Sequence, residues 1–441
     1  MTHIQKIYNN IILITNMINI NFLRENIELV KKNIKNKFKE DKIILIDKAL
    51  DLDSKKKKVM NENQKLRAER NNISKEISKL KKEKKDISQI LKKAKDIPEK
   101  IKELTEKENN LDKKLKEVLI KIPNIMHKDV PIGKNESENV EIKKYLKPKK
   151  FNFDVKAHQE IADNLGLADF DSSSETSGSG FYYLEGDLAL LNQALVRYTI
   201  EQMVKKDFTY VETPYLLRGD IISGVVDLHD QKNMIYKIDE EDLYLIGTSE
   251  HSLIGRFLKK DIDVKKLPIK QTSFSMCFRK EKGSHGLDER GLFRTHQFNK
   301  VEMVVICDPE DSMKYFKEMK KITNEIFNSI GIPTRDLAIC SGDLGDLKHI
   351  QYDVEGWSPR RNDYIELGSC SNLTDAQSLL LDIRVKTGSK KYYPHILNNT
   401  AIATSRALVL IIENFQDKDG NVVIPKILVP YMFGKKIIKK I

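Results

Sequence analysis

The sequence predicts an α+β protein: a long antiparallel α-helical coiled-coil arm, followed by a mainly antiparallel sheet flanked by helices. Three observations predict it. From about Ile20 to Ile122 there is no glycine and the sole proline is Pro98, so nothing local stops a helix for tens of residues. Within that stretch apolar residues recur at spacings of three, four and seven, the period of a coiled-coil seam. From about Phe151 glycines and aromatics rise, and short β-rich runs alternate with amphipathic helical ones. Few βαβ alternations occur, which favours antiparallel strands. The expected boundaries are an arm ending at 125, a linker at 126–150 and a globular domain at 151–441.

In the arm, one apolar series runs Val59, Leu66, Ile73, Ile77, Leu80, with Asn63 and Arg70 interrupting it. A second runs Ile97, Ile101, Leu104, Leu111, Leu115, Val118, Ile122, interrupted at Glu108. The charged stretch Lys81 to Asp86 lies between them and reads as the turn of a hairpin. Polar residues elsewhere imply a narrow seam with solvent around it. Pro98 marks either the start of the second helix or a kink close to it.

Charge is unevenly spread. The chain carries a formal net charge of +12 over 441 residues. Residues 51–121 hold 23 Lys or Arg against 14 Asp or Glu, hence +9, which leaves about +3 for the rest. A polyanionic partner for the arm is expected, against the simpler alternative of a solvated lysine-rich helix. The four cysteines form no Cys-x-x-Cys pair, which argues against a disulfide framework or a cysteine-rich zinc site. Reduced thiols in the cytoplasm are expected. The apolar run Ile11 to Ile20 is too short to span a bilayer and has no small-residue cleavage site; no membrane segment is expected.

Past the linker, Leu188 to Lys205 has helical period and leads into the extended Tyr210-Val-Glu-Thr-Pro214. Strands are expected at Asp242–Ile246, Ser273–Phe278, Phe298–Cys307 and Tyr364–Gly368. A helix is expected at Asp308–Ile330, with Asp308 as N-cap and Pro309 at its first position.

No glycine-rich phosphate cradle is present, neither GxxxxGK[ST] nor GxGxxG. An enzyme gripping phosphates without one would use arginines, which stay charged and bind oxygen bidentately. One region offers them. Arg279-Lys-Glu281 ends a β-like run, Lys282 to Arg290 forms a basic glycine-containing loop, and Gly291-Leu-Phe-Arg-Thr-His-Gln-Phe298-Asn-Lys-Val-Glu302 resumes the strand. By spacing alone an ordinary charged hairpin explains this equally well.

These residues closely resemble motif 2 of the class II aminoacyl-tRNA synthetases, and within that class the seryl enzymes. Three further segments agree, in the family's order. Thr248-Ser249-Glu250 resembles the serine-pocket TxE. Glu366-Leu-Gly-Ser-Cys-Ser-Asn-Leu-Thr-Asp375 resembles the ATP-binding strand and turn. Asn398-Asn-Thr-Ala-Ile-Ala-Thr-Ser-Arg406, followed by a helix, resembles motif 3. Thr213-Pro214 resembles motif 1, the dimer element, and Asn21 to Asn26 with the arm resembles the family start. The resemblance runs from about residue 17 to 434. It makes 1–16 an expected disordered extension and 17–125 the arm, ahead of a class II synthetase core.

The resemblance implies ATP-dependent activation of L-serine and transfer to the 3′ end of tRNA(Ser), with the selenocysteine tRNA as a second candidate. It implies a homodimer, and the zinc-free type of seryl enzyme with Mg²⁺ alone. Arg279 and Arg406 are the expected catalytic cations, on the α- and γ-phosphates. Lys280, Glu281, Thr295 and Phe298 belong to the expected ATP site, with Glu281 on the adenine amino group and Phe298 stacked on the base. Glu366, Leu367, Gly368 and Ser369 complete it, Glu366 and Ser369 as Mg²⁺ ligands. Thr248, Ser249, Glu250, Arg279, Glu302 and Thr400 are the expected serine contacts. Glu302 would accept from the ammonium or the hydroxyl, and Ser249 is the weakest of the set. The arm would grip tRNA by backbone and shape.

The match departs at Ser179-Gly180, where many members have Ala-Arg before the aromatic pair kept here as Phe181 and Tyr182. Single histidines such as His251, His285 and His296 are read as polar contacts. Two other functions are open to such a sequence: a carrier-protein ligase, which would lack the arm, and a non-catalytic tRNA-binding paralogue, which would lose Arg279, Glu281, Glu366 or Arg406.

Overall fold

The structure, a computed structural model, describes residues 18–226, 228–281 and 291–440. The expected extension at 1–16 and the loop Lys282 to Arg290, with His285, lie outside them. The chain divides into two compact units, Ile18–Ile125 and the chain from Met126 onward.

In the first unit α1 (Ile20–Glu25) is capped by Asn19, whose side chain accepts from the N–H groups of Asn21 and Phe22 at 3.0 and 2.9 Å, satisfying two of the free donors of a helix start. After α2 (Ile27–Asn36) comes α3 (Ile44–Lys82), 39 residues long and hence about 58 Å. The chain turns within the expected charged stretch and returns as α4 (Ser88–Lys95) and α5 (Ile97–Leu119). Pro98 therefore does both things read from it. The helix breaks at Asp96, and Pro98 occupies the first turn of the resumed helix, where a missing N–H leaves no bond unmade.

The base of the arm is a packed core of Phe22, Leu23, Val30, Ile34, Ile46 and Leu115. There Arg24 forks onto Asp53, Nε and Nη2 donating at 2.9 and 2.8 Å. Burial raises the Asp53 pKa, but bonds and charge from Arg24 and Lys57 outweigh it and hold the carboxyl below its ordinary range. Farther out the seam thins, and Leu66, Ile73, Ile77 and Leu80 are only half-buried. Two of the three interruptions of the apolar series, Asn63 and Glu108, meet each other. Asn63, buried at 3% exposure, donates from Nδ2 to Thr105 Oγ1 at 3.1 Å and Glu108 Oε2 at 3.3 Å. A polar contact inside an apolar seam is satisfied in one register and broken in its neighbours.

The second unit is built on an eight-stranded sheet. In chain order its main elements are β1 (Val140–Tyr145), α6 (Gly186–Lys205), β2 (Thr209–Tyr210), α7 (Ser249–Gly255), β3 (Ile269–Phe278) and β4 (Gln297–Cys307). Then follow α8 (Ser312–Ile330), β5 (Thr334–Ala338), β6 (Ile350–Ser358), β7 (Asp363–Asn372), β8 (His395–Ala403) and α9 (Thr404–Phe415). The strand order is β1-β5-β6-β7-β8-β4-β3-β2. Every pairing is antiparallel except β2 with β3. Two expectations need correction. Residues 126–150 are no linker: they belong to this unit, and β1 is the sheet's edge strand on β5. Asp308 does not cap α8. The helix starts at Ser312 after a 3₁₀ turn at Pro309–Asp311, and the Asp308 carboxylate instead accepts from the Tyr392 hydroxyl.

One sheet face packs on helices. Phe316, Met319 and Phe327 of α8 and Leu408 and Ile412 of α9 meet Val301, Met303, Val305, Leu367, Cys370 and Leu397. By the two-residue alternation of a strand, Lys300 and Glu302 of β4 and Asn398 and Thr400 of β8 face the other way. Among the described residues no helix is long and apolar enough to cross a membrane.

Replacing Asn63 by Leu should raise the arm's melting temperature, since burying a Leu side chain is worth roughly 1.5–3 kcal/mol. It should also widen the distance distribution between spin labels at positions 70 and 101. A distribution as narrow as that of the unsubstituted arm would show that something else sets the register.

Candidate active site

A strand places residues i and i+3 on opposite faces. Glu366 and Ser369 nevertheless both leave the helical core, because β7 carries a bulge. Across β6, Val354 pairs with Gly368 and Glu355 with Glu366, so Leu367 is the extra residue. Its side chain goes into the core at 2% exposure, so of Leu367 only backbone is left for the cleft. Bulges re-aim side chains in this way beside functional sites. Directly across from Ser369 stands Asp353 of β6.

Arg406, on the first turn of α9, donates from Nη1 to the Glu366 carbonyl at 2.8 Å and to Oε2 at 3.1 Å. Burial would raise the Glu366 pKa, but Arg406, then Arg279 and Lys348, outweigh it and lower it. The two arginines thus act on one carboxylate. Arg279 follows β3. Its Nε donates to the Gly247 carbonyl at 3.1 Å, and its guanidinium carbon lies 5.4 Å from the Phe298 ring centre. Its carbonyl meets Nδ1 of His296 at 2.8 Å.

Asp353 has the opposite fate to Glu366. Burial, then the Glu366 charge, pushes it up to about 7. Gln351 donates to its Oδ1 at 2.7 Å. Ser369 Oγ is buried beside Asp353, and its hydrogen bond works against that rise. A carboxylate, a hydroxyl and a second carboxyl make a hard oxygen set that suits Mg²⁺, so the residues present fit that ion. Among the described residues, no group of three or more His, Cys, Asp or Glu could hold a metal.

Thr248 caps α7, its Oγ1 accepting from the Glu250 N–H at 3.2 Å, and the cap turns Glu250 toward β8. Glu250 Oε1 accepts from Gln377 at 2.8 Å and Asn398 at 3.0 Å. Burial and the neighbouring Glu302 push its carboxyl up to about 7. Opposite, Glu302 Oε2 lies 2.6 Å from Lys300 Nζ and accepts from Thr400 Oγ1 at 3.2 Å. Gly368 lets β7 pass this group: a Cβ there would stand 2.9 Å from that of Thr400.

Most expected site residues therefore line one cleft. Ser249 does not. It is fully buried, and its hydroxyl donates to the Ser273 carbonyl at 3.2 Å, fastening α7 to β3. Lys280 lies along the wall, its N–H on the Met234 carbonyl at 2.9 Å and its Nζ 5.7 Å from the Tyr236 ring. Glu281 takes a left-handed φ of 44° where the described strand end stops. Thr295 is buried, its Oγ1 without partner. His251 is also buried, and its imidazole is held neutral, pushed down to about 3 by burial and then by Lys300 and Arg279. The departure at Gly180 has a steric reason: at φ +83° a Cβ would stand 2.6 Å from the His296 ring. Sequence reading missed Asp353, Lys300, Gln377 and Phe293. Phe293 lies 5.3 Å from the Arg406 guanidinium and 4.3 Å from that of Arg361. Lys300 was legible as a charge two residues from Glu302 on a strand that is otherwise mostly apolar.

An antiparallel sheet carrying arginines at the end of one strand and the start of a late helix, around paired carboxylates, defines a class II aminoacyl-tRNA synthetase core. The family model "tRNA synthetase class II core domain (G, H, P, S and T)" matches residues 235–415, and "Seryl-tRNA synthetase N-terminal domain" matches 17–126. The serine–tRNA ligase of Methanospirillum hungatei is 41% identical over 96% of this chain and 100% of its own. The crystal structure of seryl-tRNA synthetase from Pyrococcus horikoshii complexed with ATP superposes with a TM-score of 0.90 at 38% identity, covering 96% of this chain and 100% of that one. The cytoplasmic enzyme of Naegleria fowleri, solved with AMP, gives 0.85 at 34%, covering 97% and 99%. The chain belongs to the seryl-tRNA synthetase family.

The electrostatics of Glu250 can be measured directly. Its folded pKa is raised to about 7 from an ordinary 4.5, so stability falls as pH rises from about 4.5, where the unfolded carboxyl ionises, and levels off above about 7, where the folded one must ionise in place. Glu250→Gln keeps an acceptor for Gln377 and Asn398 and removes that cost. The variant should be more stable than wild type at pH 8, by on the order of 3 kcal/mol, and nearly equal at pH 4. Equal stability at both pH values would show that Glu250 is not strained by its charge.

Proposed function

We propose that this chain activates L-serine with ATP and esterifies it to the 3′ end of tRNA(Ser). The observation that carries the reading is the convergence of Arg279 and Arg406 on Glu366, beside a pocket closed by Glu250, Glu302 and Thr400. In the first step the serine carboxylate attacks the α-phosphorus and pyrophosphate leaves. In the second the terminal ribose hydroxyl of the tRNA attacks the activated carbonyl and AMP leaves. No general base is needed for the first, because the carboxylate is already ionised.

Arg279 stands where charge builds on the α-phosphate, and Arg406 where it builds on the departing pyrophosphate. Fixed cations there stabilise the transition state more than the ground state. Phe298 stacks on the adenine, Glu281 accepts from its amino group, and Thr295 and the Gly368 backbone complete the contacts. Glu366 and Ser369 would hold Mg²⁺, which when bound neutralises phosphate charge. Arg406 would then exchange its ion pair with Glu366 for the γ-phosphate. In the pocket Thr248 and Glu250 take the serine ammonium, and Glu302 and Thr400 take the hydroxyl.

The arm binds tRNA along its lysine-rich faces; Lys75, Lys79 and Lys82 rim one open groove with Ser74 and Ser78. A homodimer is part of the reading, and β1 leaves Val140, Ile142 and Leu146 exposed at 42%, 51% and 51%, an apolar edge that a second copy would cover. The four free cysteines fit a reducing compartment such as the cytoplasm.

Serine-dependent exchange of pyrophosphate into ATP should be observed with Mg²⁺, and Arg279→Ala should reduce it by about 10²–10³-fold with an unchanged melting curve. Folded protein without exchange would defeat the reading; tRNA binding in its absence would mark a non-catalytic paralogue. Replacing residues 66–104 by a short Gly-Ser turn should leave exchange near wild type and lower tRNA charging by at least about ten-fold. Equal loss of both would refute the division of labour, and charging of a carrier protein instead of tRNA would identify the ligase alternative.

A further inference from the structure

The geometry points to Lys300 as a positioning residue for serine selection: it pins one oxygen of Glu302 so that the other faces the substrate hydroxyl. The inference rests on the proposed serine pocket and assigns it a residue that motif reading left out.

Lys300 and Glu302 stand two apart on β4 and share its cleft-side face. Their side chains are 6% and 2% exposed, and Nζ lies 2.6 Å from Oε2. Thr400, register-paired with Glu302 on β8, donates to the same oxygen at 3.2 Å. Both contacts fall on Oε2, and among the described residues Oε1 takes no hydrogen bond. A carboxylate with a single anchor would swing about its last torsion. Two anchors on one oxygen, from neighbouring strands, fix both its plane and which oxygen is free.

The pocket's charges give this a consequence. Its other acidic group, Glu250, is held through Oε1 by Gln377 and Asn398 and, among the described residues, faces no cation within salt-bridge distance, Lys300 and Lys348 acting on it only from farther off. A substrate ammonium would be drawn to whichever carboxylate lacks a counter-charge. Because Lys300 already neutralises Glu302, the ammonium goes to Glu250 and Glu302 is reserved for a neutral donor. That donor is the hydroxyl that distinguishes serine from alanine. A site whose buried acceptor is left unpaired rejects the analogue lacking the hydroxyl far more strongly than an apolar pocket could. Without Lys300, Glu302 becomes a second candidate for the ammonium, and the hydroxyl is read less strictly.

The test is pyrophosphate exchange with serine and with alanine, together with the shift in melting temperature produced by serine alone. Lys300→Met should raise KM for serine, leave KM for ATP within about two-fold, and lower serine-over-alanine selectivity at least about ten-fold. The melting shift given by serine should shrink. Lys300→Arg, which keeps a cation beside Oε2, should recover most of the selectivity. Should the Met variant fail to fold, Lys300→Gln replaces it, because its polar end tolerates the buried carboxylate while lacking the charge; the same loss is expected. A folded Met or Gln variant that keeps wild-type selectivity, or that loses ATP and serine affinity alike, would overturn the inference. Absence of serine-dependent exchange in the wild-type protein is a separate result, and it would overturn the proposed reaction itself.

Discussion

The extra residue in β7 is the constraint on which the phosphate end of the cleft depends. Without the bulge at Leu367, Glu366 and Ser369 would point to opposite faces, one of them into the helical core. With it, an acid and a hydroxyl share the open face while Leu367 and Cys370 stay in the core. The same displacement puts Glu366 under Arg406, which can reach both its carbonyl and its carboxylate only from the head of α9. It also sets Asp353 opposite Ser369, close enough to feel the Glu366 charge. A local irregularity of one residue thus concentrates charge that a regular strand would separate.

That concentration is unfavourable in the free protein, and the structure offsets it unevenly. Glu366 stays ionised because two arginines and a lysine surround it, whereas Asp353 and Glu250 are pushed up to about 7. Among the described residues neither carboxyl has a cation within salt-bridge distance, and the lysines that act on them from farther off do not offset burial. On the proposed reading the two carboxyls stand where a metal ion, at one end, and an ammonium, at the other, would supply positive charge. Glu302 needs no such charge, because Lys300 supplies it from within the strand. Perturbed carboxyls cluster at functional sites for this reason. Here the contrast between neighbours carries more information than either value.

Much of this was legible in the sequence, though for unequal reasons. The arm could be read because the seam on a helix 39 residues long leaves a periodic trace and its turn is announced by charge. The strand leading into Arg279 and the strand holding Glu302 could be read from their β-rich runs, whereas Thr400 was reached through the motif resemblance alone. What stayed hidden depends on pairing. Asp353 lies 13 residues before Glu366 and acquires meaning only through the β6–β7 register. β1 looked like linker because all but the last of its residues are exposed and polar ones are frequent, the composition of an edge strand rather than of a core one. Asp308 looked like a cap because Asp-Pro is the local signal for one, and Tyr392, 84 residues away, claims its carboxylate. Ser249 sat inside a recognisable motif, yet a motif does not say which of its side chains turns inward.

The arm and the core treat polar groups inside apolar surroundings in opposite ways. In the arm, Asn63 and Glu108 interrupt the seam, and each finds its partner in the other strand of the hairpin. The contact closes on itself, and its effect is to choose one register. In the core a corresponding group is left incomplete: Thr295 has a hydroxyl without a protein partner. A buried polar atom without a partner is costly when nothing arrives to fill it. Self-satisfied contacts therefore suit a rod whose task is to keep its shape, while open ones suit a cleft whose partners come from solution.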